Sequence, residues 1–264
     1  MTIIQAIILA IVEGLTEFLP VSSTAHMKFT NPIIGVTSTP FSDMFEIVIQ
    51  LAAILAVVVV YYKKFFDFSR LSFYVKLVAA LIPALIFGVL LKKHIDKALD
   101  NLYFIAAVMI GGGILFLFVD RLFPAPKIDD EKQVSVIKAF KIGCFQVLSI
   151  LLPGFSRSGA TIIGGMSQSL SRKAAAEFSF FLAVPTMLAA SVKTFWDVHK
   201  EHPDVLTKDN ATILGLSSII TFIVAIIVIR YFIGFLQKHG FKVWGYYRII
   251  VGMAMLILLW RGVL

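Results

Sequence analysis

Apolar runs of about 18–20 residues recur along this chain, and each is long enough to cross a ~30 Å hydrocarbon core as a helix. A lipid environment leaves no water to satisfy backbone N–H and C=O groups, so such runs must close their hydrogen bonds internally. Composition points the same way. The 264 residues are 59% hydrophobic and 15% charged, with a mean hydropathy of +0.91, whereas a soluble domain averages ~45–50% apolar and ~25% charged. The expected fold class is an all-α polytopic membrane protein, with 1–264 forming a single membrane domain. No small-residue cleavage site follows the first run, so a removable signal peptide is not expected.

Six runs read as full spans, at 44–62, 74–91, 102–119, 177–196, 211–233 and 246–263. Two regions, 3–30 and 139–170, are apolar but broken. Each carries Leu-Pro followed by a Ser/Thr-rich stretch, LPVSST at 19–24 and LPGFSRSGAT at 152–161. Proline removes a helical donor and restricts the residue before it. Irregular backbone at membrane depth survives only inside protein or beside a wet cavity. Both regions are therefore expected to be re-entrant helix–loop–helix hairpins.

The two Leu-Pro elements start at 19 and 152, 133 residues apart, and each precedes three spans. An odd number of spans inverts the second unit. FEIVIQLAAIL (45–55) and EFSFFLAVPTML (177–188) add a second correspondence, each with a glutamate near its start. The expectation is an inverted-topology repeat of units 1–120 and 135–264, joined by a cytoplasmic loop 120–138. Such folds place substrate sites where discontinuous helices meet near the midplane. Two unrelated proline kinks are the plainer alternative.

Loop lysines and arginines set orientation. Lys63, Lys64, Arg70 and Lys76 mark one inside loop. Arg121, Lys127, Lys132, Lys138 and Lys141 mark a second, Arg172 and Lys173 a third, and Lys238, Lys242 and Arg248 a fourth. Both termini and the loop 197–210 then fall outside, as does 92–101, against the rule. The net charge of +8 is thus a matter of topology and anionic lipid, and no nucleic-acid partner is expected. The single cysteine, Cys144, excludes an internal disulfide and a cysteine metal cluster, and reads as a small buried hydrophobe.

The chemistry concentrates in the two broken regions. Glu13 and Glu17 stand i, i+4 on one helix face, and like charges so placed suit a hard divalent cation, Mg²⁺ or Ca²⁺, with oxygen ligands. Hydrated carboxylates near the outer surface are the alternative. Pro20 fits the first turn of the following half-helix. Ser23 and His26 then lie i, i+3, flanked by Ser22 and Thr24. A hydroxyl beside an imidazole, with Glu13 or Glu17 folding back behind it, is what general-base activation of a nucleophile requires. In the plainer reading Ser22 is a helix cap and His26 an interfacial residue. GFSRSGAT (154–161) carries no carboxylate; the amides following Gly154 and the fork of Arg157 form an anion cradle suited to phosphate. Gln146 takes the place of Glu13 in the second unit, and Ile150 that of Glu17. This division of labour favours a phosphate-handling enzyme over a symmetric transporter. Glu46 and Glu177 are cavity or anchor candidates, Gln50 braces a hairpin, and Gly111 to Gly113 permit close packing. His94, His199, His202 and His239 read as solvated.

VEGLTEFLPVSSTAH (12–26) and PGFSRSGAT (153–161) strongly resemble the two signature motifs of the bacterial undecaprenyl-diphosphate phosphatases, the bacitracin-resistance family. FEIVIQLAAILAVVV, IGCFQVLSILLPGFSRSGATI and AAEFSFFLAVP extend the resemblance over essentially the whole chain. It implies removal of the terminal phosphate of undecaprenyl diphosphate, which returns the carrier lipid for cell-wall synthesis, and dependence on Mg²⁺ or Ca²⁺. It further implies a multi-pass protein of the bacterial inner membrane with its site open to the outer face. By position, Glu13 and Glu17 match the acidic pair, Ser23 and His26 the catalytic serine and histidine, and Arg157 the essential arginine. Ser156, Ser158 and Thr161 fall in the phosphate-binding motif, with Ser22, Thr24 and Gly154 beside the substrate. The expected partners are a prenyl diphosphate, membrane lipid and, as a candidate, a second copy of the chain. The attacking atom is left open between Ser23 with His26 as base, His26 itself, and metal-activated water. A flippase or transporter of a prenyl-phosphate carrier is the rival from another class; a structural scaffold leaves the Ser, His, Glu and Arg residues without a purpose.

Overall fold

The structure is a computed structural model, and it describes residues 1–67, 71–123 and 125–263. In chain order the helices are α1 (Ile3–Thr16), α2 (Ser23–Ile33), α3 (Pro40–Val60), α4 (Tyr62–Phe65), α5 (Leu71–Leu90), α6 (Lys92–Leu99), α7 (Leu102–Leu122), α8 (Val136–Leu151), α9 (Arg157–Ser167), α10 (Arg172–Glu201), α11 (Lys208–His239) and α12 (Lys242–Trp260). Six of them, α3, α5, α7, α10, α11 and α12, are long and apolar enough to cross a membrane. Among the described residues one isolated β-bridge is formed, between Ile128 and Leu170.

The six expected spans are all present, but most run past the apolar stretch that announces them. The extra turns come from caps in the polar connections. Thr39 caps α3 through the amide of Ser42, Ser171 caps α10 through that of Ala174, and Thr207 caps α11 through that of Asn210. Helix α10 has 30 residues, about 45 Å at 1.5 Å per residue, so it must project beyond a ~30 Å core. Helix α12 stops at Trp260, earlier than expected, because Gly262 turns the chain at φ 67°.

The short helices form two pairs, α1 with α2 and α8 with α9. Helix α1 packs on α11, α8 on α5, α9 on α10, and α7 along α12. The main core joins these elements through edge-to-face aromatic contacts, Phe18 with Phe180 at 5.1 Å and Phe73 with Phe181 at 5.4 Å. Close helix approach depends on glycine, as two of the crossings show. Gly113 of α7 faces the Gly245 carbonyl of α12, and a Cβ on Gly143 of α8 would overlap the Ala80 backbone of α5. Gly143→Val is therefore expected to cost about 3 kcal/mol or more, read as lower thermal stability in detergent; an unchanged midpoint would contradict this packing.

Several sequence expectations need correction. Pro20 lies in the turn, not in the first turn of α2, which begins at Ser23 behind the N-cap Ser22. Cys144 is exposed rather than buried. Lys76 and Arg248 are buried inside helices rather than marking loops. Lys76 donates to the Lys132 carbonyl at 2.9 Å, which ties the segment around Lys132 to α5. Lys64 bridges Glu131 at 3.3 Å and Glu177 at 3.1 Å, so Glu177 is an anchor rather than a cavity residue. Arg70 lies outside the described residues.

Candidate active site

A cavity of about 790 Å³ opens where the turns of the two short-helix pairs meet. The turns are built alike. Helix α2 starts behind Ser22 at φ 72° and α9 behind Ser156 at φ 78°, an unusual conformation for a non-glycine residue. In each case the serine hydroxyl accepts from the amide three residues on, Ala25 or Gly159. That cap holds the strained residue and leaves the next position, Ser23 in one turn and Arg157 in the other, on the cavity wall. The N-termini of α2 and α9 therefore converge, and each carries roughly half a positive charge from its unpaired leading amides.

Across this gap Glu17 joins the two pairs. It caps the end of α1 with helical backbone. Its Oε1 accepts from Arg157 Nη2 at 2.9 Å, and its Oε2 accepts from the Ser23 hydroxyl at 2.6 Å. Arg157 Nη1 donates to the Ser179 carbonyl at 3.3 Å, which fixes the guanidinium against α10. Glu17, Ser22, Ser23, Thr24, Gly154, Ser156 and Arg157 all line the cavity.

The remaining expected site residues lie behind this wall. Ser158 donates to the Leu19 carbonyl at 2.9 Å, and the Thr161 hydroxyl meets that of Ser179 at 2.6 Å. Both hydroxyls brace the turns. Glu13 is fully buried in the last turn of α1, against Glu17, and neither carboxylate oxygen has a hydrogen-bond partner. An orphaned buried carboxylate is costly unless a proton or a cation accompanies it.

His26 departs most from expectation. Its Nδ1 lies 2.8 Å from the Ser22 carbonyl, which can only accept, so Nδ1 carries the proton. In the neutral ring Nε2 then accepts from the Tyr247 hydroxyl at 2.8 Å, and the two rings stack at 5.7 Å. The imidazole thus turns toward α12 and away from the Ser23 hydroxyl. The carboxylate that folds back reaches the serine directly, and the described hydrogen bonds of Ser23 and His26 do not join these two side chains.

Arg248 on α12 went unrecognised as a site residue. It is fully buried, donating to the Gly154 carbonyl at 2.8 Å, the Pro20 carbonyl at 3.2 Å and the Val108 carbonyl at 3.5 Å. Its guanidinium lies 4.9 Å from the Phe116 ring and uses the space left by the missing side chain of Gly112. One residue therefore ties both turns together. A cation within the apolar run YYRIIVGMAM was the available signal, because ionisable groups inside spans are rarely idle. Lys28 and Glu46 also line the cavity, and Glu46 accepts from Asn31 Nδ2 at 2.6 Å.

Gly154 sits at φ 97°, and a Cβ there would lie 2.7 Å from the Ile105 carbonyl oxygen. Gly154→Ala is expected to displace the α8–α9 turn and reduce any activity of this site by tenfold or more. Wild-type turnover in that variant would show that the turn tolerates both strain and overlap.

The family model for bacitracin resistance protein BacA matches residues 6–254. A Porphyromonas gingivalis protein named undecaprenyl-diphosphatase is 50% identical, with 100% of this chain and 99% of the relative aligned. A Flavobacterium psychrophilum protein of the same name is 51% identical over 98% of this chain and 96% of its own length. One from Bdellovibrio bacteriovorus is 39% identical over 99% and 98%. With six apolar helices and a family match over nearly its whole length, this chain is a multi-pass membrane protein that belongs to the bacitracin resistance protein BacA family.

Proposed function

We propose that this protein is an integral-membrane phosphatase that hydrolyses undecaprenyl diphosphate to undecaprenyl phosphate and inorganic phosphate, recycling the carrier lipid for cell-wall synthesis. Full-length relatives that bear the name undecaprenyl-diphosphatase support the substrate. The observation that carries the chemistry is the 2.6 Å Ser23–Glu17 hydrogen bond beside Arg157 in a cavity of the bundle.

In this reading the diphosphate head enters between the two turns. Arg157 and the leading amides of α2 and α9 neutralise the terminal phosphate. Phosphoryl transfer is largely positioning and electrostatics, and both are supplied here by fixed groups. As the Ser23 oxygen bonds to the terminal phosphorus, its proton passes to Glu17 Oε2. The bond from that phosphorus to the bridging oxygen breaks, and the lipid monophosphate leaves with the electron pair. Glu17 passes that proton to the departing phosphate oxygen, then takes one from the water that attacks the serine phosphate and returns it to the Ser23 oxygen as the phosphorus–serine bond breaks. His26 is a positioning residue, holding the Ser22 carbonyl and with it the strained cap next to the nucleophile. The two orphaned oxygens of Glu13, with Glu17 alongside, fit a hard divalent cation, Mg²⁺ or Ca²⁺. No group of three or more His, Cys, Asp or Glu converges among the described residues, so Glu13 and Glu17 would be the two carboxylates that hold it. When bound, such an ion supplies positive charge to the transferring phosphate.

The short-helix pairs are proposed as re-entrant hairpins in an inverted repeat of 1–120 and 135–264. Matching serine caps at positive φ support this, as does the exchange of partners, α1 on α11 against α8 on α5. The proposed setting is the bacterial inner membrane, with the cavity and both termini on the outer side and loop 120–138 inside; a homodimer is a candidate assembly. The test is phosphate release from undecaprenyl diphosphate by detergent-solubilised protein, with and without chelator. Release that chelator abolishes is expected. Lipid binding without release, in the absence of any second compartment, would favour a flippase; full activity in chelator would remove the cation from the account.

A further inference from the structure

Lys28 lies on α2 one turn beyond Thr24, on the wall of the cavity that holds Ser23 and Arg157. It is half-buried, in a region where an idle cation is costly. Arg157 has its charge met by Glu17 at 2.9 Å. Among the described residues no carboxylate stands within ion-pair distance of the Lys28 ammonium. Glu46 feels its charge, but the hydrogen bond to Glu46 comes from Asn31. The cavity thus contains a cation committed to no partner, on the same helix as the nucleophile.

The spacing says what it would meet. Lys28 lies five positions beyond Ser23, about 7.5 Å along the axis of α2, and a flexible four-carbon stem carries the ammonium. If the terminal phosphorus sits at Ser23, the next phosphate lies one P–O–P link further, between Ser23 and Lys28. Resting on the phosphatase reading above, we infer that Lys28 binds the lipid-side phosphate, the one that remains on the prenyl chain, and thereby selects a diphosphate head group. The ammonium acts where charge develops. When the terminal phosphorus–oxygen bond breaks, the bridging oxygen keeps the electron pair and joins the lipid-side phosphate. A cation at that position stabilises the leaving group more than the ground state. Arg157 serves the transferred phosphate and Lys28 the departing one.

The two phosphates separate into the two products, which makes the assignment measurable. Prenyl monophosphate keeps the lipid-side phosphate, whereas inorganic phosphate occupies the terminal position. Full-length protein in detergent is compared as wild type, Lys28→Gln, Lys28→Met and Lys28→Arg, with thermal unfolding to confirm folding. Loss of one charge-assisted contact is expected to weaken prenyl-monophosphate binding about 10- to 100-fold in the Gln and Met variants. kcat/KM for prenyl diphosphate should fall similarly, Lys28→Arg should recover most of both, and inhibition by inorganic phosphate should not change. Unchanged monophosphate affinity in folded Gln and Met variants overturns the inference, as does equal weakening of both ligands. Recovery of Lys28→Gln by Glu46→Gln would also overturn it, since Lys28 would then only neutralise Glu46. Monophosphate binding is read without turnover. Wild-type protein that binds this lipid through Lys28 yet releases no phosphate from the diphosphate would therefore end the phosphatase reading and leave the contact standing.

Discussion

Ser23→Ala should lower phosphate release by on the order of 10³-fold or more while leaving the protein folded. The hydroxyl is 7% exposed as a residue, lies at the first position of α2 and makes its one described hydrogen bond to Glu17. Removing it deletes the proposed nucleophile without opening a core cavity. Glu17→Gln should cost a similar factor for a different reason. The amide cannot take the serine proton, and Arg157 loses the charge that holds it 2.9 Å away. Because both residues act on one step, the double variant should be scarcely worse than either single one. His26→Asn should be milder, because it loosens the Ser22 cap rather than the proton acceptor. If His26→Asn matched Ser23→Ala in severity while Glu17→Gln stayed active, the imidazole would be the base, and it would have to leave Tyr247 to act.

The second large effect belongs to Arg248. Arg248→Met keeps much of the volume but removes the donors to the Pro20 and Gly154 carbonyls. Each buried carbonyl left without a partner costs about 1–3 kcal/mol, and two turns lose their common brace at once. A hydrophobic replacement for a buried charge can be neutral when both charged partners are removed. Here the partners are backbone carbonyls and stay behind, so destabilisation should win. Lower thermal stability in detergent by about 2–5 kcal/mol is expected, together with turnover reduced at least 100-fold, because Ser23 and Arg157 would no longer face each other at a fixed distance. Arg248→Lys should be intermediate, since an ammonium lacks the planar fork that spans both turns. An Arg248→Met protein with wild-type stability and turnover would mean that the turns hold themselves.

The parts of this molecule legible in its sequence are those governed by one-dimensional rules. Twenty-residue apolar length places the six spans, and Leu-Pro followed by hydroxyl residues marks both turns. Helix ends were less legible, because caps such as Thr39 and Thr207 extend helices into polar connections where hydropathy carries no signal. The acidic and basic site residues could be picked out because charge is costly at membrane depth. Their pairing could not. Whether Glu17 reaches Ser23 or His26 depends on two serines at positive φ, Ser22 and Ser156, and no spacing rule predicts that geometry. Lys76 and Arg248 were misplaced for a related reason. Lysine and arginine near span ends ordinarily report topology, and only tertiary contact shows that these two donate to distant carbonyls. The brace at Arg248 is visible only when α7, α12 and both turns are assembled.

The most direct test is to trap the enzyme during turnover of undecaprenyl diphosphate labelled at its terminal phosphate, quench it, and map the label to an atom. The Ser23–Glu17 geometry predicts an acid-stable phosphoserine at Ser23 that is absent from Ser23→Ala. A phosphohistidine at His26, or turnover with no labelled protein under conditions that slow dephosphorylation, would contradict it.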